Sequence, residues 1–91
     1  MNAEEIYKRA IQEKGVEHQR RIAIEEMAEL TNALMKFDRG RTTVDDIIEE
    51  IADVTIMMQQ LAIIYGKNAV ALQIEYKTQR LKRRLDEHNA D

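Results

Sequence analysis

Six carboxylates stand in two short runs of the chain. Glu25, Glu26 and Glu29 lie between Ile24 and Leu30, and Glu49, Glu50 and Asp53 lie just before Val54. Each run holds two acids separated by two residues, Glu26 with Glu29 and Glu50 with Asp53. Residues three apart on a helix are neighbours on one face, so each run presents a carboxylate pair. Two such helices side by side offer four carboxylates. That donor set suits a hard divalent cation, Mg²⁺ first and Mn²⁺ as a substitute.

The elements that must carry these acids read as four helices. Residues 2–14 form the first, with Asn2 as N-cap, Glu4 and Glu5 in the first turn, and Gly15 at its end. Residues 16–37 form the second, with an apolar seam of Ala23, Met27, Leu30, Leu34 and Phe37 in steps of four and three. Residues 38–43 are the one strong loop signal. The third helix starts after Thr43, its cap, and runs to Tyr65 before Gly66. Its seam is Ile47, Ile51, Val54, Met58, Leu61 and Tyr65, widened by Ile48, Met57, Ile63 and Ile64. A helix apolar on most sides is a central one, and in so short a chain it points to packing against another subunit. Asn68 reads as the cap of a fourth helix over residues 69–88, with Val70, Ile74, Leu81 and Leu85 as its buried edge. Short connections between four helices predict an antiparallel four-helix bundle.

At about 100° per residue, Glu26 and Glu50 each fall roughly 60° from the centre of their seams, and Glu29 and Asp53 roughly 120°, on the same side. Both pairs therefore border the core. Acids on an apolar flank repel one another and lose hydration, and a divalent cation offsets both penalties. Glu25 and Glu49 point nearly opposite the seams and read as solvated, with Glu25 retained as a candidate proton acceptor.

The fourth helix carries Lys77, Arg80 and Arg84 on one flank of its seam. Cations beside a carboxylate-held metal are the chemistry of a polyphosphate, in which Lys and Arg neutralise and orient the oxygens. Lys82 and Arg83 point elsewhere. Other constellations fail. Gly15 and Leu85, not Glu, stand three residues before His18 and His88, so the Glu-x-x-His motif of di-iron bundles is missing. Gly40 stands alone between Arg39 and Arg41, so there is no glycine-rich phosphate loop.

Composition narrows the class. The chain has 91 residues, no proline, three glycines, 44% hydrophobic and 34% charged residues, which predicts one all-α domain over residues 1–91. A chain this short buries a modest core, so completion of the fold by oligomerisation is expected. The net charge of −3 offers no basic face for nucleic acid. There is no cysteine for a disulfide, a metal site or a nucleophile. No apolar run approaches a membrane span, and the first residues lack the pattern of a secretory signal, so a cytoplasmic protein is expected.

The acids and their surroundings resemble a known family. Glu25-Glu26-x-x-Glu29 followed by Glu50-x-x-Asp53, with Arg39-Gly40 between them and Lys77-x-x-Arg80-Leu81-x-x-Arg84-Leu85 after them, is similar in order and spacing to the MazG-like all-α nucleoside triphosphate pyrophosphohydrolases. The likeness extends over most of the chain and is nearest to short phage or prophage-type members. It implies a four-helix fold assembled as a dimer or tetramer, Mg²⁺ at Glu26, Glu29, Glu50 and Asp53, and hydrolysis of an NTP or dNTP to the monophosphate and pyrophosphate. It further implies phosphate binding by Lys77, Arg80 and Arg84, and makes Gln19 a candidate contact to base or sugar. Two alternatives stand beside it: a phosphoribosyl-ATP pyrophosphohydrolase, and a non-catalytic helical oligomerisation module.

Overall fold

The computed structural model describes residues 1–89, and they form four α-helices and, among the described residues, no strand. These are α1 (Ala3–Lys14), α2 (Val16–Asp38), α3 (Val44–Tyr65) and α4 (Lys67–Asn89). The ends have local causes. Asn2 accepts the backbone N–H of Glu5 at 2.9 Å and starts α1. Thr43 accepts the N–H of Asp46 at 3.2 Å and starts α3. The end of α2 is a Schellman turn: Arg41 N–H donates to the Lys36 carbonyl at 2.8 Å, and Gly40 N–H to that of Phe37 at 2.9 Å. Gly40 takes φ +69°, which the turn requires and which costs glycine nothing.

Asn68 does not cap α4. It lies inside the helix, which begins one residue after α3 ends. Gly66, at φ +129°, reverses the chain alone, and its carbonyl accepts the first α4 bond from Val70 N–H at 2.9 Å. A side-chain cap two residues later is unnecessary.

The main interface is between α2 and α3, and α1 packs on both. Gln19 meets Gln60, while Glu26 and Glu29 meet Glu50. Ascending α2 thus descends α3, and the pair is antiparallel. The side chains covered on α2 are Gln19, Ile22, Ala23, Glu26, Leu30 and Ala33; on α3 they include Ile47, Glu50, Val54, Met57, Gln60 and Leu61. Both stripes are turned roughly 50–60° from the expected seams, toward the acids. Met27, Leu34 and Phe37 on α2, and Ile51, Met58 and Tyr65 on α3, are left exposed. The hydrophobic residues fully buried within the chain are Ala23, Ala33 and Met57. Of the methionines, only Met57 fills the core.

α4 packs on α3, and its first residue, Lys67, donates to Glu4 of α1 at 2.6 Å. Val70 is half-buried, but Ile74, Leu81 and Leu85 are exposed, so the expected buried edge of this helix has no cover within one chain. Among the described residues, no helix is long and apolar enough to cross a membrane.

Candidate functional site

The α2–α3 hairpin brings Glu26, Glu29 and Glu50 together, each offering a carboxylate oxygen within 4.8 Å of the others. Glu26 and Glu50 are half-buried and Glu29 is exposed. One oxygen of Glu26 and one of Glu50, Oε2 in each case, is buried with no hydrogen-bond partner. Buried acceptors are normally satisfied, so these two mark a place where a donor or a cation belongs.

The electrostatics agree. Burial pushes the Glu26 carboxyl above the usual carboxylate range, and the charges of Glu29, Asp53, Glu50 and Glu25 push it further. Burial likewise raises Glu50, followed by Glu29, Asp53, Glu49 and Asp46. No cation counters either rise. Asp53 is exposed and outside the close trio, yet its charge reaches both glutamates, so it lies at the edge of the cluster. Glu25 and Glu49 are exposed and act on the cluster only by their charge.

A hollow of about 270 Å³ opens beside the trio, lined by Glu29, Asn32, Lys36, Thr42, Asp46 and Glu50 among others. Its walls are the last turns of α2, the loop and the first turn of α3. Thr42 donates its hydroxyl to Asp46 Oδ2 at 2.7 Å. Bonds from Thr42, then Thr43, hold the Asp46 carboxyl below its usual range. The hollow therefore combines fixed negative charge with one ammonium group, that of Lys36.

Sequence reasoning missed Asn32, Lys36, Thr42 and Asp46, although a signal was there. Asn32 and Lys36 follow Glu29 by three and seven residues, and Asp46 precedes Glu50 by four. These spacings put each residue in line with its acid on one helix face.

The basic row lies elsewhere. Lys77, Arg80 and Arg84 do not line the hollow, and among the described residues no ion pair joins them to the acids. The cause is the packing of α4, which leans on α3 and not on α2. Lys77 and Arg84 are exposed and Arg80 is half-buried. Gln19, the candidate base or sugar contact, is 6% exposed and donates to Gln60 Oε1 at 2.8 Å inside the helix interface. His18 and His88 are exposed.

No protein-family model, curated protein or solved structure matches the chain.

Proposed function

We propose that the chain is a Mg²⁺-dependent nucleoside triphosphate pyrophosphohydrolase of the MazG-like kind, acting as a homo-oligomer. One observation carries this reading: the convergence of Glu26, Glu29 and Glu50 oxygens within 4.8 Å, with two buried oxygens lacking partners. Oxygen donors in that density fit Mg²⁺ or Mn²⁺. Glu26, Glu29 and Glu50 would hold the ion, with Asp53 joining from the edge of the cluster. When bound, the ion supplies Lewis-acid polarisation of phosphate oxygens and eases deprotonation of a water.

The chain's own groups divide the remaining work. Lys36 is placed to neutralise a phosphate entering the hollow. Asn32 and Thr42 line that hollow as polar groups. A carboxylate of the cluster, one of the four or the exposed Glu25 beside them, takes the proton of the attacking water. Attack falls on the linkage between the α and β phosphates, releasing pyrophosphate.

The exposed faces favour assembly. Met27, Leu34 and Phe37 with Ile51, Met58 and Tyr65 make an apolar surface that a second copy would cover. Lys77, Arg80 and Arg84 then become candidates to reach a substrate from a partner or after rearrangement of α4.

The test is pyrophosphate release over a panel of standard and modified NTPs and dNTPs and phosphoribosyl-ATP, with and without Mg²⁺. Turnover that requires Mg²⁺ supports the reading. Absence of turnover on every substrate overturns it and leaves a helical association module, the reading favoured by the apolar surface alone.

A further inference from the structure

Gln19 and Gln60 are the buried polar side chains of the fold, 6% and 4% exposed. Gln19 Nε2 donates to Gln60 Oε1 at 2.8 Å. His18 Nδ1 lies 2.8 Å from Gln19 Oε1, and Gln60 Nε2 lies 3.7 Å from Met57 Sδ. Two amides inside an apolar helix interface are a costly choice where two aliphatic side chains would fit. Such polar pairs recur in helix packing for another reason: they are satisfied in only one alignment of the helices.

That alignment also sets the acids. Seven residues up α2 from Gln19 is Glu26, and seven residues back along α3 from Gln60 is Asp53. Ten residues in each direction reach Glu29 and Glu50. In an antiparallel pair, equal steps stay opposite one another. The register that joins the amides therefore puts Glu26 across from Asp53 and Glu29 across from Glu50. Half-buried Ile22 and buried Met57, three residues from each amide, obey the same register.

The loop alone does not impose it. Residues 39–43 extend to about 17 Å, while packed helices lie about 8–10 Å apart. That slack admits a slide of one turn, about 5.4 Å. The covered apolar side chains, Ile22, Ala23, Leu30 and Ala33 on α2 and Ile47, Val54, Met57 and Leu61 on α3, repeat at helical spacing and accept such a slide. The amides do not, because each would be left buried without its partner.

We infer that the Gln19–Gln60 hydrogen bond is a register lock, a positioning pair that keeps the two acid pairs opposite each other across the α2–α3 interface. Its consequence for a cation rests on the proposed function; the register itself does not.

The chain lacks cysteine, so spin labels can be placed at engineered cysteines at exposed Arg21 and Asp45, near opposite ends of the hairpin. The labels would lie about 20 Å apart along the helix axes, so sliding changes their distance almost one for one. Labelled protein is diluted with unlabelled chain to isolate intrachain distances. The parent should give one narrow distance. Gln19→Leu/Gln60→Leu should add a second population displaced by about 5 Å, with helicity by circular dichroism unchanged. Gln19→Met/Gln60→Met, closer in shape, serves if leucine disturbs packing. Mn²⁺ affinity, followed on the unlabelled proteins, should fall by the fraction of chains outside the native register. An unshifted single distance in both double variants overturns the lock, whatever happens to Mn²⁺. A displaced population in a protein whose parent binds no Mn²⁺ supports the lock and overturns the metal reading.

Discussion

Glu26 on α2 and Glu50 on α3 bring oxygens within 4.8 Å of each other, and each keeps one buried oxygen without a partner. Like charges at this separation are a source of instability unless something enters between them.

The first prediction concerns pH. Both carboxyls are raised above the ordinary value of 4.5, so the folded chain holds protons that the unfolded chain has released. Stability contributed by these groups is therefore present below that value and lost as pH rises through their folded pKa values. Without divalent cation, Glu26→Gln/Glu50→Gln should melt several degrees above the parent at pH 7. The gain should vanish as pH falls toward 4.5. Thermal melts in chelator across that range check it; an equal Tm difference at every pH would contradict the assignment.

Millimolar Mg²⁺ should stabilise the parent. Binding to the folded state alone stabilises by about 2.7 kcal/mol at a hundredfold excess over Kd. Glu50→Gln should lose most of that rise, and the parent should lose it on acidification as protons compete for the same oxygens. Differential scanning fluorimetry with Mg²⁺, Mn²⁺ and chelator reads both.

Catalysis should separate the acids by position. Removing a group that merely orients a metal ligand costs about 10–100-fold; Glu26→Gln, Glu29→Gln and Glu50→Gln, which remove ligand charge, should each cost ~100-fold or more in kcat/KM. Asp53→Asn, at the rim, should cost less. Glu49→Gln, exposed and outside the trio, should leave turnover near the parent's. Steady-state pyrophosphate release checks the order.

Lys36 and the α4 cations make a discriminating set. Lys36 lines the hollow of the single chain, so Lys36→Ala should raise KM for a triphosphate about tenfold, in keeping with a charge-assisted bond of about 1.5–3 kcal/mol. Lys77→Ala, Arg80→Ala and Arg84→Ala should match it only if assembly or movement of α4 carries them to the site. Fluorescent-nucleotide titration at protein concentrations above and below dissociation of the oligomer separates these cases.

The exposed apolar surface should govern assembly. Ile51→Glu or Leu34→Glu places a charge on that surface without touching the acid cluster. Analytical ultracentrifugation should find the parent associated and these variants dissociated, with a lower Tm. A monomeric parent would contradict the expectation of a completed bundle.

Much of the fold was legible because its boundaries are local. Asn2, Gly15, Thr43 and Gly66 announce helix ends through caps and positive φ, which need no distant contact. The start of α4 was misplaced because Asn68 has the chemistry of a cap, whereas Gly66 had already turned the chain. The acid pairs were legible from spacing. Lys36 and Asp46 stand at helical spacing from Glu29 and Glu50 and could have been found the same way, whereas Thr42 joins the site only when the loop folds against the start of α3.

The amino-acid order was enough to specify four helices, their termini apart from the start of α4, and the common flank on which Glu26, Glu29, Glu50 and Asp53 lie, because periodicity and capping act over one or two turns. Which flank faces inward was a tertiary decision. The α2–α3 pair turned its acids and its Gln19–Gln60 bond toward the interface and left Met27, Leu34, Ile51 and Met58 outside. The physical reason is that each helix has two candidate apolar faces and a single chain can cover only one of them. The choice depends on long-range pairing, here a hydrogen bond between side-chain amides 41 positions apart, to which local periodicity is blind.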